Sequence, residues 1–438
     1  MDTNLNNKLN SVPHEEWLII AHAANMDGRA ASLTVTDKIP FLQKHCIQPI
    51  LISGVLGSNY TGLEHYQLLP IGPAGIRFDL RHLIRRRTRS RLAYQLIVGL
   101  LALPLAPLIA VERILVGLSS QASWSVSAFM KAASLIKKRG ISVVYTSGGA
   151  YSAHLAGYWL KLRFKNRIIW LAEIHDPLVK RETTVQGREE RLLSSLEKKL
   201  AKYSNLVWWF TESALESAIS RNVGLKSKSL TLLPGALDFK PRAFGSELNR
   251  DELHFGHFGS LTKRRSLDVF LATLSAWLRN NPKYINIIKV HLHGEKVDQN
   301  TLRVMKDCKL DQIVLLHDRL TRTDARQRMC EMSLLLIPHG DDKECLEYIP
   351  SKFYDYLWAN RPIVVFSSGN RQFERLINER GGWFLDSSKQ SEIMSFLDEV
   401  TSKWAENKLN TGWVNNPISP EQALNKIFQR VEIIRKKL

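Results

Sequence analysis

Cysteine is scarce in this chain. Cys46, Cys308, Cys330 and Cys345 are the only four in 438 residues, and no Cys-x-x-Cys or Cys/His metal spacing joins them. That excludes a disulfide framework and a zinc ribbon, and it reads as the reduced thiols of a cytosolic protein. Acid is short as well: 61 Lys and Arg stand against 42 Asp and Glu, a formal net charge of +19. So large an excess implies anionic partners, whether nucleic acid, acidic membrane or phosphorylated substrates. There is no Asp-x-Asp, which removes a common way of holding a divalent metal against a diphosphate. No apolar run reaches the roughly 20 residues that span a bilayer. The opening MDTNLNNKLNSVPHEEW is too polar and acidic for a signal peptide. Internal repeats and low-complexity tracts are missing too.

What is present is the balance of a globular protein, 44% apolar and 24% charged, in a chain long enough for two or three domains. Apolar runs alternate with helix-compatible segments. WLIIAHAA (17–24), QPILISG (48–54), ISVVYTSG (141–148), RIIWLAEI (167–174) and NLVWWFTE (205–212) have the composition of buried parallel strands. A second series runs through LHFGHFGS (253–260), IIKVHLHG (287–294), QIVLLHD (312–318), SLLLIP (333–338), PIVVF (362–366) and GWFL (382–385). Two such series predict two doubly wound α/β domains, with ligands at the carboxyl ends of the strands. The divide falls near LPGALDFKPRAFGSE (233–247), which has the Pro and Gly of a linker.

The most informative stretch is EYIPSKFYDYLWANRP, Glu347 to Pro362. A helix starting near Pro350–Ser351 offers backbone N–H groups and a positive dipole end to an anion. Glu347 before the helix and Asp355 inside it are placed to take hydroxyls on either side of that anion. Hydroxyls flanking a diphosphate describe a nucleotide sugar. The plain alternative is an amphipathic helix with solvated acids.

This stretch resembles the signature of the family 4 glycosyltransferases, retaining enzymes of the GT-B fold. Their pattern is Glu, seven residues, Glu, a small residue, Gly, any residue and Pro. Glu347 takes the first position, Ala359 the small one and Pro362 the last. Asp355 replaces the second Glu, Asn360 the Gly, and Pro350 a Gly whose amide often faces phosphate. Ser351 and Lys352 must then make up the lost donor. The Pro-Ser-Lys version resembles a subset acting in bacterial surface polysaccharide assembly.

The resemblance implies an α/β, GT-B architecture: two doubly wound Rossmann-like domains facing across a cleft. An acceptor-side domain would span 1–240, with a basic and apolar membrane-associating insert over 81–118. A nucleotide-sugar domain would span 250–419, and a last helix, 420–438, would cross back to the first. It also implies a nucleoside-diphosphate sugar as donor, a saccharide or lipid-linked acceptor, and no metal or other cofactor.

Further segments fit. In HFGSLTKRRSLDVFLATL (257–274), Gly259 and Ser260 permit close approach of backbone to a ligand. Arg264 and Arg265 put guanidinium groups beside it, suited to a diphosphate. Ser260 stands where the family usually has an Arg, so Arg265 or Arg264 must supply that charge; the alternative is a solvated basic turn. HLHGE (291–295) ends the next strand, and its His pair suggests a metal site only if a third ligand exists; none follows at useful spacing. His317-Asp318-Arg319 closes the strand after that, near where family members bind the base. In AEIHDPL (172–178), the resemblance gives His175 the donor sugar, where the plain reading is a His-Asp cap. Gly28 and the Ser147-Gly148-Gly149 turn are either acceptor contacts or ordinary Gly turns.

The implied mechanism has Glu347 orient the donor sugar and Asp355 the ribose. Arg265, Lys352 and the helix start meet the charge on the leaving diphosphate.

One region is unlike a plain soluble enzyme. RHLIRRRTRSR (81–91) holds six Arg in eleven residues and runs into the sixteen uncharged residues LIVGLLALPLAPLIAV (96–111). The run is short for a span, and Pro104 and Pro107 should break a helix. Arg followed by apolar residues is what an interfacial anchor needs; a buried helix pair with a basic edge is the alternative. The expectation is a cytoplasmic protein, peripheral on the inner face of the membrane. The rival readings are a nucleotide-sugar epimerase, a GT-B scaffold that only binds, and, more remotely, a nucleic-acid-binding protein. Against the last, the aromatics lie within apolar strands and no nucleic-acid motif occurs.

Overall fold

In the computed structural model, which describes residues 15–26, 29–88, 90–179, 187–240 and 251–438, the apolar runs become two parallel sheets. The chain divides into two units, Met1–Leu237 with Ser419–Leu438, and Asp238–Ile418.

The first unit holds β1 (Glu15–Ile20), β2 (Ile47–Gly54), β3 (Glu64–Leu68), β4 (Val143–Ser147), β5 (Ile169–Ile174), β6 (Leu206–Trp209) and β7 (Ser229–Thr231). Their order is β3-β2-β1-β4-β5-β6-β7, every pair parallel. The second holds β8 (Leu253–Phe258), β9 (Ile288–His293), β10 (Val314–His317), β11 (Leu334–Gly340), β12 (Ile363–Ser367) and β13 (Trp383–Leu385). Their order is β10-β9-β8-β11-β12-β13, again parallel throughout. In both sheets the winding reverses between the first strand of the series and a later one, β1 with β4 and β8 with β11. That is the switch point at which doubly wound sheets bind ligands.

Helices cover both faces, so the central strands are apolar on both sides. Trp17, Ile19 and Leu51 face one core layer of the first unit, while Leu18, Ile20 and Ile52 face the other. The edge strands β3 (EHYQL) and β7 (SLT) are half-buried. Their polar composition is why no apolar run announces them.

The helix Pro420–Arg435 belongs to the first unit. It lays Ala423, Leu424, Ile427 and Val431 into the core layer of Trp17. Burying a side chain such as Leu424 or Ile427 stabilises by about 1.5–3 kcal/mol. Lys44 pairs with Glu421 at 2.6 Å, and Arg435 pairs with Glu15.

The Arg-rich segment corrects the sequence expectation. Pro104 and Pro107 do not break the chain: Arg91–Leu115 is one helix of 25 residues. The prolines remove only the N–H groups that would meet the Leu100 and Leu103 carbonyls, and the Leu- and Ala-rich flanks favour helix strongly enough to continue. Ser90 caps it, its hydroxyl accepting from the Ala93 amide at 3.3 Å. By length and composition this helix is long enough to cross a membrane, and only 6% of its apolar window is buried.

Candidate functional site

In the second unit the groups singled out by sequence meet at the carboxyl ends of β8 and β11. Gly259 follows β8 with φ of 121°, a conformation that side chains rarely adopt. A Cβ there would lie 3.2 Å from the Lys352 ammonium. Gly294, after β9, is equally confined: its Cβ would meet the Gly259 carbonyl at 2.6 Å. The glycines thus let two loops and a lysine pack together.

Lys352 opens the helix Lys352–Ala359. Part of its surface is in solvent, but the ammonium is enclosed, and burial pushes its pKa down to about 7, with the Arg265 charge adding to the effect. The ammonium lies 3.3 Å from Nε2 of His257. Arg265 is held by a Thr262–Arg265 turn, and its guanidinium lies 5.4 Å from the Tyr348 ring centroid. Two cations therefore stand together beside a backbone with no side chain. That arrangement suits a polyanion better than it suits an empty pocket.

The helix start contributes as well. The Phe353 and Tyr354 amides pair with the Pro350 and Ser351 carbonyls. Among the described residues no backbone carbonyl takes the Ser351 or Lys352 amide. The helix ends at Asn360, left-handed at φ 53°, so Asn does there what Gly does in the family pattern. Glu347 is 2% exposed, in the short turn Cys345–Glu347. Asn370 steadies that turn by donating to the carbonyls of Cys345 (2.8 Å) and Tyr348 (3.0 Å).

Other assigned residues have partners the sequence did not suggest. Asp355 accepts from Arg322 at 3.0 Å and from Arg326 at 2.9 and 2.5 Å. Arg264 is exposed and reaches out to Glu344 at 3.2 Å and Asp342 at 3.5 Å. Of the two arginines, Arg265 is therefore the one beside Lys352. Ser260 is exposed. Arg322 and Arg326 went unnoticed although their i,i+4 spacing on one helix was readable. His257 and Tyr348 gave no signal.

In the first unit, His175 stands just after β5 and stacks on Phe210, centroids 4.9 Å apart. Its Nε2 is 3.0 Å from Ser147 Oγ. Ser147 has one proton, and it goes to Glu173 at 2.8 Å. The His175 Nε2–H therefore donates to Ser147, which leaves Nδ1 with its lone pair. Glu173 is buried and also accepts from Lys38 at 2.6 Å and from Tyr145. Burial alone would raise the Glu173 carboxyl; Lys38 and His175 outweigh it and bring it down to about 2. Gly148 is fixed by packing, since a Cβ would meet the Glu173 carbonyl at 2.6 Å and the His175 amide at 2.9 Å. Gly28 lies outside the described residues.

The sequence reading set the His291–His293 pair aside for want of a third ligand. Parallel register supplies one from the next strand, His317 opposite His293.

No family model matches the chain, and no curated protein does. Solved structures do. Sucrose-phosphate synthase of Thermosynechococcus elongatus matches with a TM-score of 0.64 at 12% identity, over 96% of this chain and 100% of that one. A variant of S. aureus TarM, in complex with fondaparinux, α-GlcNAc-glycerol and UDP, gives 0.58 at 10% identity, over 95% and 99%. A protein named as a candidate UDP-N-acetylglucosamine 2-epimerase of Listeria monocytogenes gives 0.56 at 9% identity, over 97% and 98%.

The chain has the GT-B fold. At such identities the likeness extends to the fold and no further. In this GT-B chain the site therefore rests on its own geometry.

Proposed function

We propose that this GT-B chain is a retaining glycosyltransferase of family 4 type. It moves a sugar from a nucleoside-diphosphate donor to a saccharide or lipid-linked acceptor in bacterial surface polysaccharide synthesis. The observation that carries the reading is the pairing of Lys352 and Arg265 beside Gly259, at the switch point of the second sheet. The bond from the anomeric carbon to the diphosphate oxygen breaks, and its electron pair leaves on that oxygen. Lys352, Arg265 and the helix start stabilise the charge in place of a divalent ion. The acceptor oxygen attacks the same face, and the leaving phosphate takes its proton. Glu347 aligns the donor sugar, and Asp355, with its two arginines, lies on the ribose side.

The enzyme acts at the cytoplasmic face of an anionic membrane, a reading that the exposed apolar helix Arg91–Leu115 supports. Leu92, Leu96, Leu100, Leu103 and Ile114 are all exposed, by 68% or more, and their spacing puts them along one stripe. The preceding helix, Pro73–Arg87, is tied into the first unit by Asp79, 3.1 Å from His22. The far end of Arg91–Leu115 returns to the same unit. Glu112 accepts from the Ala74 amide at 2.8 Å, and Arg188 donates to the carbonyls of Ile114 (2.9 Å) and Leu115 (2.8 Å). For one helix to cross, the Arg-bearing helix would have to cross as well, at roughly 2.5–3.5 kcal/mol per Arg. This favours a helix lying in the interface, with the arginines on lipid phosphates.

The likeness to a candidate epimerase keeps a second reading, an enzyme that inverts a centre of a nucleotide sugar. Product analysis separates the two. The protein is incubated with UDP-, GDP- and ADP-sugars and a membrane lipid extract, and products are followed by NMR. Release of nucleoside diphosphate with a new linkage of the donor's anomeric configuration supports transfer. A changed sugar still attached to its nucleotide would establish the epimerase instead.

A further inference from the structure

Four histidines share one face of the second sheet: His254 from β8, His291 and His293 from β9, His317 from β10. Nδ1 of His254 is 3.0 Å from Nε2 of His291. Nδ1 of His291 is 3.0 Å from Nε2 of His317. The His293 ring stacks on His317, centroids 4.2 Å apart, and on Phe258 at 4.7 Å. One nitrogen from each of His291, His293 and His317 falls within 4.8 Å of the others. His293 is 5% exposed, and neither of its ring nitrogens has a hydrogen-bond partner among the described residues. A buried imidazole in that condition asks for an explanation, and an ion is one of the few that fit.

We propose that His291, His293 and His317 bind a divalent transition-metal ion of the zinc class. The site is separate from the donor cradle, and the inference does not depend on glycosyl transfer. Imidazole nitrogen is a favoured ligand for zinc, copper and nickel. Three histidines leave one tetrahedral position for water.

The surroundings support it. Once Nδ1 of His291 holds the ion, its Nε2–H donates to Nδ1 of His254. Nε2 of His254 in turn lies 3.6 Å from a Glu252 oxygen. A carboxylate and a histidine thus stand behind a ligand, as metal-bound histidines require. Burial lowers the pKa of all three rings, with Arg328 adding to it, which keeps their lone pairs available at neutral pH. Arg328, the cation that faces them, is ion-paired with Glu331 at 2.5 Å. The ion replaces the His291–His317 hydrogen bond. Bonds of about 2.0–2.1 Å at a tetrahedral angle need nitrogens about 3.3 Å apart; those of His291 and His317 are already at 3.0 Å, and His293, now stacked on His317, must turn its ring to bring its nitrogen in.

The ion would tie β9 to β10 directly under the loop that carries Gly259. The Gly259 amide donates to the His293 carbonyl at 2.7 Å, and the Gly294 amide to that of His317 at 3.3 Å. Its role is therefore to fix the two loops rather than to touch a diphosphate.

Full-length protein, stripped with chelator and then freed of it, is titrated with Co²⁺ and with Zn²⁺ by absorption and calorimetry. The expected result is one saturable equivalent, with the strong visible bands of tetrahedral cobalt, displaced by Zn²⁺. His293→Ala and His317→Ala each weaken binding a hundredfold or more. His317 is half-buried at a strand end, and far-UV circular dichroism checks that its variant folds. His254→Gln keeps the three ligands and weakens binding ten- to a hundredfold. Absence of a stoichiometric equivalent in the wild type, or an unchanged isotherm in both His293→Ala and His317→Ala, overturns the proposal.

Discussion

Lys352 stands against His257: the ammonium lies 3.3 Å from Nε2. Each ring nitrogen of His257 also faces a backbone carbonyl, Nδ1 that of Leu336 at 3.1 Å and Nε2 that of Gly259 at 3.0 Å. Burial, reinforced by Lys352, holds this ring far below its ordinary protonation range. The result is a lysine placed by a neutral histidine and poised near pH 7.

A bound diphosphate raises the Lys352 pKa above its free value of about 7, so binding takes up a proton. Affinity for a nucleoside diphosphate should therefore fall as pH rises above about 7, by up to tenfold per unit. Calorimetry at pH 7.5 in two buffers of different ionisation heat measures the uptake. Lys352→Met should remove both the uptake and the slope. An affinity constant from pH 7 to 9 in the wild type contradicts this.

Asp355 holds Arg322 and Arg326 together. Asp355→Asn leaves two largely buried guanidinium groups without their carboxylate, and should destabilise the protein by about 3 kcal/mol as well as weaken nucleotide binding. Asp355→Glu should keep most of both. Urea unfolding gives the first quantity; an unchanged midpoint in Asp355→Asn would show the ion pairs to be incidental.

How much of this could be read from sequence follows from where each group's partners lie. The central strands were legible because parallel strands buried on both faces are continuous apolar runs. β3 and β7 were not, since an edge strand needs no such run. The 347–360 stretch was legible because its helix start and its Asn360 cap are local. The partners of Asp355 were not, because Arg322 and Arg326 reach it from another helix, 33 and 29 residues earlier. Nor was the link from Lys38 to Glu173, which are 135 residues apart. The continuity of Arg91–Leu115 is hidden by its two prolines, whose cost the Leu- and Ala-rich sequence around them outweighs.

Glu173 and Lys38 form a buried pair. Glu173→Gln should cost about 3–5 kcal/mol, since it leaves the Lys38 charge uncompensated. Lys38→Met in the same protein should recover most of that. The Glu173 carboxyl is lowered to about 2 from 4.5, so its stabilisation is complete above the unfolded value and lost as pH falls towards 2. A urea series on the single and double variants is the check. Equal midpoints for wild type and Glu173→Gln would refute the pairing.

Replacing the six Arg of 81–91 by Gln should release the protein from anionic liposomes at low salt, each Arg contributing about 1 kcal/mol. High salt should do so only in part, because the apolar stripe is not screened. Leu96→Glu with Leu100→Glu should weaken binding even with all six Arg in place. A wild-type protein that ignores anionic liposomes at low salt would rule out the membrane role.

Glu347→Gln should lower turnover by on the order of a hundredfold, with little change in nucleotide affinity, because alignment of the donor is what is lost. Wild-type turnover in that variant would remove Glu347 from the site.

The most direct measurement is calorimetric titration of UDP, GDP and ADP into the full-length protein with EDTA present. Saturable binding of at least one of them is expected without metal, and it should be lost when Arg265→Gln and Lys352→Met are combined. Binding of none even after one equivalent of Zn²⁺ is restored, or binding only after Mg²⁺ or Mn²⁺ is supplied in excess of the chelator, would contradict the proposed donor site.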